Sequence, residues 1–365
     1  MRQAGIRVSL ICILFNSIYA PSQDYKIGYV SCIINDFVPD EKLDFSIKDE
    51  KLYIRIFERE LDPSTKEKLL QRLKNTNFFK AIDIIVVESQ TPSKPAKGTI
   101  SVNSHNSQPS HEILPAGVIY DSPIADPKWP KFSAGYQQHS KNTYGKNIFN
   151  LSFGENLALV RYKTDGWAYE LGLQAGLFGL MDVGSSPTRL INSDYFVGGG
   201  ISMVYYRKWQ NLFQFSHLSS HLGDEFLISR PDYVNKRVNL SYEAFKWFTA
   251  YKFNSLRPYI GLGYLVHRDP STLKPFTLEG GMDYISPTSF LFDTTRFVCG
   301  IHTHFWSQNN FKPSLNIRNG LQLEDPVWRG RSLQFLIEYS QGQSRHGQFY
   351  AKKEHYIGFM IAISN

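Results

Sequence analysis

Hydrophobic and polar residues alternate over the last two thirds of the chain. In Gln210–Ser220, Phe213 and Phe215 fall on one side and Gln214 and Ser216 on the other, which is the two-residue period of a β-strand. No helix-period run interrupts the segments of this kind. The pattern predicts about twelve strands, at Phe132–Ser140, Asn147–Lys163, Trp167–Met181, Tyr195–Arg207, Gln210–Ser220, Arg237–Lys252, Arg257–Arg268, Phe276–Ser286, Arg296–Ser307, Pro313–Glu324, Ser332–Gln343 and Glu354–Ser364.

The faces opposite the apolar ones indicate which β-fold these strands form. A water-soluble sandwich would expose a dense polar cover there, whereas a membrane barrel would turn these faces toward a narrow lumen. The faces hold glycines and isolated charges, which favours the barrel; the charges are Glu170, Glu243, Arg318, Glu324 and Glu338. The sequence therefore predicts a mainly β protein, a membrane antiparallel β-barrel over residues 131–365.

The predicted connections alternate in length. Tyr206–Gln210, Asn254–Arg257 and Gln308–Lys312 are short. The connections Val183–Asn192, Leu222–Lys236 and Gln343–Lys353 are longer. Short periplasmic turns and long outer loops are typical of outer-membrane barrels.

The first residues predict export. Arg2 and Arg7 precede the apolar run Val8–Phe15, and the small residues Ala20 and Ser22 follow. This is the pattern of a secretory signal peptide, here residues 1–22, which is too short to span a bilayer.

Residues 23–90 predict a small α+β domain with the order α-β-β-α-β. The helices are Tyr25–Phe37 and the one opened by Asp62-Pro63, and the strands are Phe45–Ile47, Tyr53–Phe57 and Ala81–Val87. This order resembles the BON domain, a periplasmic module linked to phospholipid surfaces. A generic small α+β domain fits the same pattern. The resemblance implies binding to phospholipid or peptidoglycan.

Residues 91–130 connect the two predicted domains. Ser89–Pro115 is rich in Ser, Pro, Asn and Gln and predicts a flexible linker. Pro115–Pro130 is apolar between its prolines, and we expect it to pack against the barrel mouth or to enter the lumen.

Composition narrows the classes of function. Aromatic residues make up 15% of the 365 residues, which suits the aromatic girdles of a membrane barrel. The net charge of +7 is spread along the chain, so no nucleic-acid module is indicated and anionic lipid is the expected partner. The three cysteines, Cys12, Cys32 and Cys299, predict no disulfide framework.

One pair of residues suggests catalysis. His217 and Ser219 share the face of Phe213 and Phe215, so an imidazole and a hydroxyl can meet on the lipid side. Such a pair needs a third group to orient the histidine. Glu243 on the next strand is predicted to face the lumen, and only Asp224, Glu225 and Asp232 remain as loop candidates. Alternatively, His217 and Ser219 are interfacial polar residues that anchor the strand.

The His-x-Ser spacing resembles that of outer membrane phospholipase A and the lipid A deacylases. The resemblance implies a lipid acyl-ester hydrolase with Ser219 as the nucleophile and His217 as the base. Those enzymes follow the serine with asparagine, whereas Ser220 stands here.

Other polar residues predict weaker sites. His302 and His304 alternate toward the predicted lumen, where they could begin a metal site or serve as hydrogen-bonding groups. Asp224, Glu225 and Asp232, near His221, could hold calcium under the hydrolase alternative. No other cofactor is predicted.

Four blocks of sequence resemble the family catalogued as domain of unknown function 1207. The resemblance implies a bacterial outer-membrane protein in contact with lipid and lipopolysaccharide, and it implies no activity. The blocks are Ile124–Phe132, Asn150–Asn156, Ser219–Phe226 and Gly263–Arg268. Because charged side chains would fill much of a twelve-stranded lumen, a structural or transport-like function is predicted, with the acyl-ester hydrolase as the alternative.

Overall fold

The computed structural model describes residues 30, 33–34, 43–48, 51–56, 63–74, 78–86, 109–140, 144–290, 294–324 and 331–364. The chain divides into two compact units, residues 1–102 and 103–365. The predicted signal peptide and most of the predicted linker lie outside the described residues. Among the helices of the described part, none has the length and apolar character needed to cross a membrane.

The N-terminal unit is built on a three-stranded sheet. Its elements are β1 (Leu43–Lys48), β2 (Lys51–Ile56), α1 (Pro63–Lys74) and β3 (Ala81–Val86), with β1–β2 antiparallel and β2–β3 parallel. Leu69 and Leu73 lie four residues apart on α1, so they share the face that is buried. They form a core with Val30, Ile33, Ile34, Leu52 and Ile54. From β1 to β3 the described elements follow the predicted order, whereas most of the predicted helix Tyr25–Phe37 lies outside the described residues. The likeness to a BON domain stays a prediction.

The C-terminal unit is a closed barrel of twelve antiparallel strands, which confirms the predicted fold class. Each strand pairs with the next, and β16 pairs with β5 to complete the ring. β4 (Ser110–Ile113) pairs with one end of β6 outside the ring order. The barrel strands are β5 (Phe132–His139), β6 (Asn147–Thr164), β7 (Trp167–Asp182), β8 (Arg189–Tyr205), β9 (Trp209–Leu222), β10 (Leu240–Tyr251), β11 (Leu256–Asp269), β12 (Phe276–Ile285), β13 (Thr295–Trp306), β14 (Pro313–Glu324), β15 (Ser332–Gln343) and β16 (Lys353–Ser364).

The two faces of the barrel wall differ as a membrane requires. On β9, Phe213 and Phe215 are 49% and 45% exposed, whereas Gln214 and Ser216 between and beside them are buried. Large apolar side chains are exposed in the same way on the other barrel strands. Because a soluble sheet would bury these side chains against a partner layer, the wall is one that faces lipid.

The ends of the barrel differ from the prediction in two places. β8 begins at Arg189 and not at Tyr195, so part of the predicted loop is strand. The connection 307–312, which was grouped with the short periplasmic turns, lies with the long loops 183–188, 223–239 and 344–352. We call this end the loop end. The opposite end, with the turns at 165–166, 206–208 and 252–255, is called the turn end.

The loops at the loop end pack over the barrel. The helix α2 (Asp224–Ser229) and the 3-10 helices Pro231–Lys236 and Gly347–Phe349 contribute to this cover. Phe226, Tyr233 and Phe349 form an apolar cluster with Tyr144, Ile148, Leu180 and Ile191. Several inward positions of the strands near this end are therefore apolar.

Residues 115–131, which we call the lumen segment, lie inside the ring. Inward-facing glycines make room for its backbone: a Cβ added to Gly154 would lie 2.8 Å from Lys131 N and 2.9 Å from the Cα of Pro130. A Cβ at Gly300 would lie 2.8 Å from the Cβ of Ile124. The wall and the lumen segment are thus fitted to each other.

We predict that Gly154→Val destabilises the barrel by about 1–3 kcal/mol, because the added side chain overlaps backbone that cannot move aside freely. Urea unfolding of the refolded protein in lipid vesicles measures this. Gly280→Val is the matched control, since an added Cβ at this lipid-facing position has only an ordinary contact at 3.5 Å. Equal unfolding midpoints for the two variants would contradict the fitted lumen.

Candidate functional site

Near the turn end, the lumen segment is held by a buried ion pair. Arg161 Nε donates to Glu170 Oε2 at 2.7 Å, and its Nη2 donates to the carbonyl oxygen of Gly117 at 2.9 Å. Glu170 Oε1 accepts a hydrogen bond from the backbone N–H of Ile119 at 3.2 Å. One ion pair of the wall thus satisfies two backbone groups of the lumen segment.

The middle of the lumen holds a second pair of this kind. Arg318 Nη2 donates to Glu338 Oε1 at 2.6 Å, and the two side chains are 3% and 2% exposed. Arg318 Nη1 donates to the carbonyl oxygens of Ile124 at 3.0 Å and Asp126 at 3.3 Å. On β12, two strands away in the ring, Asp283 Oδ1 accepts from the backbone N–H of Ile124 at 3.0 Å. The side of the ring formed by β12 and β14 therefore holds the segment through backbone groups of both Ile124 and Asp126.

Toward the loop end, Lys128 anchors the segment to β8. Its ammonium group lies 2.6 Å from Asp194 Oδ2, and the Asp194 side chain is fully buried. Asp194 Oδ1 also accepts from Ser220 Oγ at 2.5 Å and from Asn192 Nδ2 at 2.8 Å. The backbone N–H of Gly347, in a loop of the loop end, donates to the same carboxylate. Asp194 therefore joins the lumen segment, the wall and a loop.

Apolar contacts and small cavities also lie beside the lumen segment. Tyr120 and Trp129 stack with ring centroids 5.7 Å apart and pack on Phe248 of β10. Two lumen cavities beside the segment each leave about 20 Å³, which is room for a water molecule but not for a solute. The sequence indicated this filling only through the composition of Pro115–Pro130 and the inward glycines.

A second polar cluster lies on the outer wall, at the loop-end border of the apolar belt. His217 and Ser219 share the lipid-facing side of β9 with Phe213 and Phe215, as predicted from their parity. His217 Nδ1 lies 2.7 Å from Glu243 Oε1, and His267 Nδ1 lies 2.7 Å from Glu243 Oε2. Ser219 and His217 both belong to the described residues, and no hydrogen bond joins them.

The predicted orientation of Glu243 was wrong. The alternation on β10 placed Glu243 in the lumen because its neighbours Leu240 and Tyr242 are apolar. In the structure those two side chains belong to the apolar cluster under the loops, with Ala244, Leu265 and Trp306. Glu243 therefore faces outward, opposite His217 in the strand register. Near this end, where the loops cover the barrel, an apolar strand residue therefore faces inward and not toward lipid.

The remaining candidate residues are separate from this cluster. His221 faces outward and packs edge-on against Tyr195. Asp224 and Glu225 are exposed in the first turn of α2. Asp232 pairs with Arg230 and Lys236, both at 3.1 Å. Among the described residues, the three loop acids do not come together as a group that could hold a metal ion.

His302 and His304 face the lumen, as their alternation predicted. His302 is fully buried, and its Nδ1 lies 3.0 Å from the hydroxyl of Tyr259. Its Nε2 points toward Asp126 and Glu279, each 3.7 Å away. The sequence could not show this grouping because Asp126 belongs to the lumen segment and not to a neighbouring strand.

The chain belongs to the family described as "Protein of unknown function (DUF1207)", whose model matches residues 40–364. No curated protein matches it. Among solved structures it is similar to outer membrane phospholipase A from Escherichia coli, with a TM-score of 0.45 and 11% identity, covering 67% of this chain and 94% of that one. It is also similar to the KdgM porin, with a TM-score of 0.36 and 10% identity, covering 63% of this chain and 97% of that one. The beta domain of the Bordetella autotransporter BrkA has a TM-score of 0.39 and 11% identity, covering 65% of this chain and 97% of that one.

These likenesses concern the fold alone. The neighbours are described as an outer membrane phospholipase, a porin and an autotransporter domain. The chain itself is a closed twelve-stranded barrel with an apolar outer wall, as its own strand pairing and exposed side chains show. The family name carries no activity, so function has to be argued from the lumen and the outer wall.

We predict that Arg318→Met destabilises the barrel by about 3–5 kcal/mol, since it leaves the Glu338 carboxylate buried and unpaired. Urea unfolding in vesicles measures this, and the double variant Arg318→Met/Glu338→Leu should recover part of the loss. The control is Arg331→Met, which removes an exposed pair with Glu155 at 2.6 Å and should change stability by less than about 1 kcal/mol. Similar losses for both single variants would contradict the role given to the buried pair.

Proposed function

We propose that this DUF1207 protein is a sealed barrel with a structural role in the outer membrane and conducts no solute in this state. The observation that supports this is the lumen segment, bonded through Ile119, Ile124 and Lys128 to β7, β12 and β8. Transport would require the segment to leave the ring. That movement would break several buried, charge-assisted contacts, each of which is costly to leave unpaired.

The proposal extends to partners and location. The exposed apolar belt takes membrane lipid and lipopolysaccharide as its surroundings. The N-terminal unit would lie in the periplasm after cleavage of the signal peptide, and its BON-like order suggests phospholipid or peptidoglycan as a ligand. No cofactor and no nucleic acid enter this function. The barrel would hold the N-terminal unit at the membrane through the chain that joins them.

We predict that the refolded wild-type protein shows no large, stable conductance in planar bilayers. Replacing residues 117–128 with a flexible Gly-Ser linker of equal length should produce stepwise openings, because it removes the side chains and backbone bonds that fill the ring. The control is the same replacement over residues 91–102, outside the lumen segment. A large permanent conductance in the wild type would overturn the sealed barrel.

A second candidate function is lipid acyl-ester hydrolysis on the outer wall. The observation that favours it is Glu243, which faces the lipid side and lies 2.7 Å from His217 Nδ1. This contact orients the imidazole so that its Nε2 remains available to Ser219, two positions further on the same face. In this proposal, Glu243 would be the third group that orients the histidine.

The roles follow from this arrangement. Ser219 Oγ would attack the ester carbonyl while His217 Nε2 takes its proton, and the same proton would pass to the departing alkoxide. Water, activated by His217, would then release the fatty acid from Ser219. Glu243 would act as a positioning residue that also stabilises the imidazolium. The absent bond between Ser219 and His217 would have to form with substrate, as catalytic contacts often do.

We predict for this candidate that the refolded protein releases fatty acid from phospholipid vesicles and that Ser219→Ala abolishes the release. Glu243→Gln should lower kcat by about 10²-fold or more, since it weakens the base without removing the nucleophile. Assays with and without calcium also test the prediction that Asp224, Glu225 and Asp232 hold calcium. The matched control is Ser241→Ala, which removes an outward hydroxyl opposite Ser219 on β10. Equal background release by wild type and Ser219→Ala would eliminate the hydrolase.

A further inference from the structure

Three buried side chains in the lumen converge on one point. His302 Nε2 lies 3.7 Å from Asp126 Oδ1 and 3.7 Å from Glu279 Oε2. The three atoms all lie within 4.8 Å of one another. Asp126 belongs to the lumen segment, Glu279 to β12 and His302 to β13, so the point joins the segment to the wall.

Two of these atoms lack a hydrogen-bond partner. Glu279 Oε2 and His302 Nε2 are both buried, and within the described part of the chain neither makes a hydrogen bond. Their residues are 2% and 0% exposed. Buried polar atoms are nearly always satisfied by protein, water or an ion, so two that face each other across a small gap indicate an occupant.

Two neighbouring side chains orient His302 and Glu279 toward the gap. The Tyr259 hydroxyl lies 3.0 Å from His302 Nδ1, which fixes the ring with Nε2 toward the gap. Lys246 Nζ lies 2.6 Å from Glu279 Oε1 and leaves Oε2 free. The gap therefore receives one imidazole nitrogen and two carboxylate oxygens, which is a ligand set that zinc and similar ions accept.

We infer that Asp126, Glu279 and His302 form a binding site for a divalent transition-metal ion such as Zn²⁺. With metal–ligand bonds of about 2.0–2.2 Å, tetrahedral ligands lie roughly 3.4 Å apart. The two measured separations of 3.7 Å are therefore only a few tenths of an ångström longer. The Asp126 and Glu279 oxygens lie within 4.8 Å of each other, and rotation of their side chains would bring all three atoms to bonding distance.

Arg345 competes with the ion for the same carboxylates. Its Nη2 lies 3.9 Å from Asp126 Oδ1 and 3.8 Å from Glu279 Oε2, beyond hydrogen-bonding distance. Its Nε is buried without a hydrogen-bond partner among the described residues, so that nitrogen does not fix the guanidinium. Arg345 lies in the loop 344–352, and binding of the ion displaces its guanidinium from the gap. The ion would thereby clamp the lumen segment to the wall.

The competing occupant is a water molecule. Water could donate to both carboxylates and accept from His302 and Arg345, with the arginine supplying the balancing charge. The two occupants predict opposite effects of removing Arg345. A metal site gains affinity when the competing positive charge is lost, whereas a water site acquires no metal.

The test is Zn²⁺ binding to the full chain refolded in detergent, measured by titration calorimetry and by metal content after gel filtration. The background variant His217→Gln/His267→Gln removes the outer-wall histidines, which could bind zinc independently. In that background we expect one Zn²⁺ per chain. His302→Gln should weaken binding about tenfold or more, and Tyr259→Phe should weaken it by about tenfold through the loss of the bond that orients His302. Arg345→Gln should strengthen it.

Folding of each variant is checked by its heat-dependent mobility in electrophoresis. If His302→Gln does not fold, Arg345→Gln still distinguishes a metal site from a water site. This variant removes no metal ligand, and we expect it to raise the affinity for Zn²⁺ at least severalfold. Absence of stoichiometric Zn²⁺ in both the background and Arg345→Gln, or binding that His302→Gln leaves unchanged, overturns the site and leaves water as its occupant. Neither outcome alters the expectation of a sealed lumen, which the conductance experiment tests separately.

Discussion

The pairing of β16 with β5 is the constraint on which the rest of the barrel depends. A sheet in lipid has no water to satisfy an open edge, so every backbone group of the wall needs a neighbouring strand. Ile363 opposite Phe132 and Tyr356 opposite His139 complete that ring. Closure with twelve strands then determines the width of the lumen, which lies between a small barrel filled by side chains and a wide porin.

A lumen of this width explains why the chain re-enters it. Side chains from the wall alone would leave space for water around buried charges such as Glu170, Asp194 and Glu338. The lumen segment takes that space and supplies backbone partners: the carbonyls of Gly117 and Ile124 bond to the arginines that pair with two of these carboxylates. Glu170, Asp194 and Glu338 are therefore neutralised and hydrogen-bonded at once, which is the condition under which buried ion pairs are tolerated.

The period-two pattern was sufficient to predict the twelve strands, since one apolar face on each strand is what lipid requires. It failed where a strand leaves the lipid zone. At Leu240 and Tyr242 the apolar side faces inward under the loops, so the rule that apolar means outward misplaced Glu243. The early start of β8 has a similar origin, because Ile191 is buried in the cluster under the loops. Loop packing is a long-range contact, and no local period encodes it.

The lumen cluster was beyond prediction for another reason. His302 and Glu279 lie near each other on adjacent strands, and register alone could have suggested that pair. Asp126 reaches them only because the lumen segment turns back inside the ring before β5 begins. The lumen segment has no two-residue period, so the sequence gives it no register against the strands. Its contacts with the wall depend on shape and charge and not on the spacing of residues. In the sequence, only the inward-facing glycines of the wall, such as Gly154 and Gly300, indicate that the lumen segment packs there.

The inward contacts of Asp194 and the outer cluster of His217, Glu243 and His267 lie on opposite faces of the same barrel wall. On β9, Ser220 faces inward to Asp194, while Ser219 beside it faces outward near His217. A change that breaks the contact between Ser220 and Asp194 would be expected to shift β9, because the same strand carries His217 on its outer face. A sealed lumen and an outer-wall site are thus compatible, since packing inside holds the strands that fix the distance between His217 and Glu243. Sites on strands supported in this way are positioned more sharply than sites on loops. The filled lumen would therefore be a structural condition for the hydrolysis proposed at the outer wall.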